Sequence, residues 1–92
     1  MDDTVDVERR ADGSFEVSIR QGSVVSRHAV TVPPGLAADL GHPEADPKHL
    51  VATSVSFLLE REPASSILRR FGLEEVERYF PEYRNEMRRR LA

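Results

Sequence analysis

The chain has 92 residues, with 13 basic against 16 acidic residues and a formal net charge of −3. This length accommodates one domain, residues 1–92, and 39% apolar with 32% charged residues is typical of a small soluble protein. The absence of cysteine excludes disulfides, thiolate metal sites and cysteine nucleophiles. No apolar stretch approaches the roughly 18 residues that span a bilayer. The acidic N-terminus is unlike a secretory signal, so we expect a cytoplasmic protein without membrane contact.

Apolar and polar residues alternate along the first third of the chain. Phe15, Val17 and Ile19 alternate with polar residues, and His28 lies on the apolar face of a third such run. This period of two predicts half-buried strands, and Asp-Gly and Gln-Gly dipeptides between the runs favour turns. We therefore predict an antiparallel meander over residues 4–10, 14–20 and 24–32. A single histidine on such a face is more often partly buried beside a hydrogen-bond partner than a ligand or a base.

Helical signals dominate residues 33–92. Asp46 is a suitable N-cap and Pro47 suits the first helical position, so the longest helix begins there. Its apolar residues cover an arc of roughly 200°, which predicts a central helix between the sheet and either later helices or a partner chain. Proline and glycine positions and apolar spacing predict helices over residues 36–40, 47–61, 65–71, 73–80 and 83–91.

The order of these elements, strands first and helices after, indicates an α+β fold. We predict a three-stranded antiparallel meander in residues 1–32, followed by three to five short helices in residues 33–92 packed on one face. A domain of this size buries only about 60–65% of its unfolded surface, so dimerisation would add stability.

Four potential metal ligands, His42, Glu44, Asp46 and His49, lie within eight residues. Their spacing matches no metal motif, and Asp46 is required as an N-cap. We therefore favour a polar loop and predict no metal and no cofactor, with metal binding by this loop as the alternative. The serines at positions 65–66 suit a helix start, and no phosphate-binding glycine loop occurs. The sequence thus predicts no catalytic residues and disfavours an enzyme.

Arginine and aromatic residues concentrate near the C-terminus. Seven of the 12 arginines lie in residues 63–92, which carry a net charge of +2, and four of the six aromatic residues lie between positions 71 and 83. Exposed rings beside arginines have the composition of a binding hot spot. Buried rings and a solvated last helical turn also account for this pattern. The candidate partner-binding surface consists of Tyr79, Phe80, Tyr83, Arg84 and Arg88.

Residues 24–62 resemble the ribbon–helix–helix pattern of small bacterial repressors and antitoxins. The match comprises a strand that ends in Ala-Val-Thr-Val-Pro, a short helix and a longer helix that begins at Asp46. The resemblance implies a dimer in which two such strands pair and Arg27, Ala29 and Thr31 read the major groove. It also implies phosphate contact near Lys48, at the start of the longer helix. The whole chain also resembles small bacterial proteins, which implies no activity.

The sequence does not specify a function. It favours a non-catalytic protein–protein interaction module with an unidentified protein partner, which could also form a homodimer. The alternative is a ribbon–helix–helix DNA-binding regulator or antitoxin. Residues 21–62 carry a net charge of −2, and this charge disfavours nucleic acid as the partner.

Overall fold

The computed structural model describes residues 4–92. Residues 1–3, on which our expectation about the acidic N-terminus depends, lie outside this part of the chain. The described residues form a mixed α+β structure with a four-stranded sheet and four helices. The α+β class is therefore as predicted, whereas the sheet has four strands and not the predicted three.

The first three strands form the predicted antiparallel meander. β1 (Thr4–Arg9), β2 (Phe15–Gln21) and β3 (Val24–Thr31) are neighbours in that order. The first turn holds Gly13 at a φ of +88° and the second holds Gly22 at +61°, a region that residues with a Cβ rarely adopt. Alternate side chains of β2 and β3 are buried. The sheet therefore has one inner face, directed at the core, and one outer face, directed at solvent.

A fourth strand, β4 (Arg70–Gly72), runs parallel to β3 and corrects our prediction of a helix over residues 65–71. After Pro63 the chain makes a short 3₁₀ turn (Ala64–Ser66), and Ile67, which follows this turn, has an extended backbone. The Ala29 N–H donates to the Arg69 carbonyl at 2.7 Å, and β4 continues this pairing. The edge of β3 thus supplies backbone hydrogen bonds that the local apolar spacing does not reveal.

Four helices accompany the sheet: α1 (Leu36–Asp39), α2 (Pro47–Leu59), α3 (Leu73–Tyr79) and α4 (Tyr83–Leu91). α2 begins as predicted, because Asp46 Oδ1 accepts a hydrogen bond from the Lys48 N–H at 3.1 Å. It packs against β1 and β2 on one side and against α4 on another. Its wide apolar arc is therefore covered within the chain. Within residues 4–92, no helix has both the length and the apolar content needed to cross a membrane.

Candidate protein-binding groove

An apolar groove of about 400 Å³ lies between the end of α2, residues 66–68 and α3. Leu68 forms part of one wall and is 52% exposed, whereas Tyr79 forms part of another and is 69% exposed. Both walls are therefore open to solvent. The other apolar side chains of the lining are Leu58, Ile67, Phe71, Val76 and Phe80.

Leu68 and Tyr79 each lie close to a buried residue of the same segment. Ile67 is 6% exposed and lies in the extended chain that follows the 3₁₀ turn. Successive side chains of extended chain point to opposite sides, so the burial of Ile67 directs Leu68 toward solvent. Tyr79 is the last residue of α3, three positions after the buried Val76. Val76 and Tyr79 are on the same side of α3, since helix positions three apart are neighbours, and both line the groove.

His28 holds the Leu68 wall in place. Its Nδ1 donates to the Leu68 carbonyl at 2.8 Å, and its Nε2 accepts from the Ser26 hydroxyl at 2.8 Å. The carbonyl can only accept, so it selects the tautomer with the proton on Nδ1. The side chain is buried with both ring nitrogens hydrogen-bonded, as predicted for a histidine on an apolar face. This serine–histidine pair does not line the groove.

Two carboxylates, Glu62 and Glu75, lie among the apolar side chains of the lining. Both residues are half-buried. Glu75 Oε2 accepts a hydrogen bond from the Gly72 N–H at 2.9 Å, at the start of α3. Glu62 has no ion-pair partner within residues 4–92. The groove therefore combines an apolar lining with negative charge.

The structure brings part of the predicted partner-binding surface to this groove. Tyr79 and Phe80 line it, whereas Arg84 and Arg88 do not. Tyr83 is 1% exposed, so our placement of Tyr83 at a surface is wrong. Its burial removes water from the phenol and raises the pKa of Tyr83 to about 12. The helical spacing placed Tyr83 on α4 correctly, but it could not show that this side of α4 faces α2.

The arginines of α4 interact with groups of the same chain. Arg84 Nε lies 2.7 Å from Glu77 Oε2, and Arg90 Nη2 lies 2.6 Å from Glu60 Oε1. The hydrogen bond from Arg90 holds the pKa of the Glu60 carboxyl below its ordinary value. Arg88 is exposed, and its Nη2 approaches a backbone carbonyl of α1 at 3.4 Å. Ion pairing makes this tail less suited to an acidic partner than its composition indicates.

The predicted DNA-reading residues lie on two sides of the sheet. Arg27 and Thr31 are exposed on the outer face of β3, whereas Lys48 lies in the first turn of α2, which packs on the inner face. β3 pairs with β2 on one edge and with β4 along part of the other. A ribbon between two protomers needs a free edge on this strand, and residues 29–31 do not offer one. This arrangement does not support the ribbon–helix–helix alternative.

Hydrogen bonds organise the loop between His42 and His49. His42 Nε2 donates to the Arg88 carbonyl at 3.0 Å, and its Nδ1 lies 3.9 Å from Glu44 Oε1. Asp46 caps α2, as described above. No three histidine or acidic side chains in the described part of the chain are grouped so that they could hold a metal ion.

Sequence reasoning missed the Leu68 wall because it assigned residues 65–71 to a helix. The spacing gave no signal against a helix, because Ile67 and Phe71 lie on one side in a helix as they do in a strand. No protein-family model, curated protein or solved structure matches this chain. The groove itself is therefore the basis for the functional proposal.

Proposed function

We propose that this protein is a non-catalytic binding module that holds a peptide segment of another protein in the groove. The observation that carries the proposal is the exposure of Leu68 and Tyr79 on the walls of an apolar groove. Apolar concavities that remain open to water are typical of interaction sites, because a partner removes their surface from solvent. Mutual burial of this surface would provide the driving force for binding.

A peptide fits this groove better than a small-molecule substrate. Sites for small molecules enclose most of the ligand surface and hold it with several convergent polar groups. Here the walls at Leu68 and Tyr79 are open, and Glu75 is already engaged by a backbone N–H. The Ser26–His28 pair, which has the hydrogen bond of a nucleophile and a base, lies outside the lining. These features favour binding over chemistry.

The charge of the groove favours a different protein over a second copy of this chain. In a symmetric dimer built on this surface, the same residues of both copies would meet. Two copies of Glu62 and two of Glu75 would then approach in a partly desolvated interface. Like charges in such a setting repel, so self-association through the groove would be opposed.

The test is a selection of displayed random peptides of about twelve residues against the immobilised protein. We expect enriched peptides to bind at least about tenfold more weakly to the double variant Leu68→Ser/Tyr79→Ser, because it removes apolar surface from both walls. A matched control, Val24→Ser/Val25→Ser, removes two exposed apolar side chains that lie outside the groove. The control should bind like the unaltered protein, with thermal unfolding confirming that all three proteins are folded.

Equal binding to the unaltered protein and the groove variant would contradict the proposal, as would a selection that enriches no peptide. Light scattering at about 100 μM protein tests whether a second copy of this chain binds at the groove. A dimer that the groove variant abolishes and the control variant retains would show self-association at this surface instead.

A further inference from the structure

The carboxylates of the groove differ from most of their neighbours in how they are paired. Between positions 60 and 86, four glutamates have an arginine partner within 4 Å: Glu60, Glu77, Glu82 and Glu86. Glu62 and Glu75, the two that line the groove, have no arginine partner within residues 4–92, and neither does the exposed Glu74 outside the groove. The part of the chain that is rich in arginine thus leaves these two carboxylates without a cation.

An unpaired carboxylate beside apolar surface is an unfavourable arrangement once a ligand excludes water from it. Covering the groove with a purely apolar segment would desolvate Glu62 without compensation, which costs free energy. A lysine or arginine side chain in the ligand would replace the lost water with a charge-assisted hydrogen bond. The carboxylates therefore select against an apolar or acidic ligand and in favour of a basic one.

We propose that the segment bound in the groove is a basic amphipathic peptide, whose apolar side chains contact Phe71 and Val76 while a lysine or arginine pairs with Glu62. This inference rests on the proposed function and adds the charge of the partner. A second cation of the peptide reaches Glu75, whose Oε2 already accepts the Gly72 N–H and whose other oxygen accepts no hydrogen bond from residues 4–92. The exposed Tyr79 ring provides a face on which an arginine guanidinium can stack.

The net charge of the chain, −3, supports a cationic partner at long range. An anionic lipid surface, a phosphorylated peptide or a nucleic acid would meet like charge at Glu62 and Glu75. The groove therefore fits a protein segment in which lysine or arginine is interleaved with leucine-like side chains.

The experiment selects peptides on the unaltered protein and compares their affinity for that protein with their affinity for Glu62→Gln and Glu62→Lys. We expect the selected sequences to be enriched in lysine and arginine, and we expect their affinity to fall about tenfold with Glu62→Gln and further with Glu62→Lys. A peptide in which glutamate replaces each lysine and arginine should regain affinity for Glu62→Lys. Glu8→Lys makes the same charge change on the exposed surface of β1 and should leave binding unchanged.

The outcomes separate the two proposals. Peptides that need Leu68 and Tyr79 but show no basic enrichment, and that bind the Glu62 variants normally, would overturn this inference and leave groove binding intact. Loss of affinity in Glu8→Lys equal to that in Glu62→Lys would also overturn it, because the effect would then be one of net charge alone. Peptides that bind without regard to Leu68 and Tyr79 would overturn the proposed function itself.

Discussion

The hydroxyl groups of Ser54 and Tyr83 lie 2.7 Å apart in the core, between α2 and α4. Both residues are at most 1% exposed, and Ser54 Oγ is also 3.8 Å from the sulfur of Met87. Burying two hydroxyls that hydrogen-bond to each other costs little free energy, whereas burying one hydroxyl without a partner costs much more. This pair therefore contributes to the specific docking of α4 on α2.

Removing one hydroxyl of this pair should lower the free energy of unfolding by more than the net contribution of their hydrogen bond. We expect Tyr83→Phe to lower the free energy of unfolding by about 1–3 kcal/mol, because Ser54 then lacks its short hydrogen bond. The double variant Ser54→Ala/Tyr83→Phe should lose less than the sum of the two single variants. Urea unfolding of the four proteins measures this cycle, and strict additivity would contradict the coupling.

Alkaline pH should weaken the fold through Tyr83. Desolvation raises its folded-state pKa from 10.0 to about 12, so the unfolded chain loses this proton at lower pH than the folded protein does. The stabilisation is therefore fully present below pH 10 and is lost as the pH rises toward 12. At most about 1.4 kcal/mol is lost per pH unit. Urea unfolding at a series of pH values should show this extra decline in the unaltered protein and not in Tyr83→Phe; parallel curves would count against it.

Loss of the His28 ring should loosen the wall that carries Leu68. We expect His28→Ala to accelerate hydrogen exchange of the Ala29 amide, which donates to the Arg69 carbonyl beside this wall. The reason is that the Leu68 carbonyl loses a buried donor and the extended segment opens more readily. The rate of hydrogen exchange measured by NMR should increase more for the Ala29 amide than for amides that form hydrogen bonds between β1 and β2. A uniform increase across the sheet would indicate global destabilisation instead.

Arg61 should stabilise the fold through stacking more than through charge. Its guanidinium carbon lies 3.7 Å from the Phe57 ring centroid, and its Nε lies 2.9 Å from Glu82 Oε2. We expect Arg61→Met to lower the free energy of unfolding by about 1–2 kcal/mol and Arg61→Lys to lose more than half of that, because lysine keeps the charge but lacks the planar group. The exposed Arg20→Met is the control and should change stability by less than about 0.5 kcal/mol. Equal effects of Arg61→Met and Arg20→Met on the free energy of unfolding, measured with urea, would refute the stacking role.

Acid should weaken the ion pairs that surround α4. Hydrogen bonds from Arg90 lower the pKa of Glu60, and those from Arg89 and Arg90 lower the pKa of Glu86. A carboxyl with a depressed folded-state pKa adds stability above its ordinary value of 4.5, and this stability is lost as the pH falls through the folded-state value.

We therefore expect the urea concentration at the unfolding midpoint to decrease as the pH is lowered below 4.5. This decrease should be smaller in Arg90→Gln and at high salt, where exposed charges are screened. An unchanged slope in the variant would show that these pairs contribute nothing measurable to stability.

The amino-acid sequence by itself determined the elements whose signals are local. Side-chain alternation was sufficient for β1, β2 and β3, and Asp46 followed by Pro47 located the start of α2, because each pattern reports on neighbouring residues alone. The aromatic concentration near the C-terminus also pointed to Tyr79 and Phe80, which line the groove.

Only the tertiary structure decided β4, the burial of Tyr83 and the groove. β4 forms because the Arg70 segment meets an unpaired edge of β3 about forty positions earlier in the chain, a pairing that no local spacing encodes. Tyr83 is buried because α4 turns that side toward Ser54 of α2. The groove combines side chains from α2, α3 and the segment between them, so its apolar surface and its unpaired Glu62 exist only after these elements have packed.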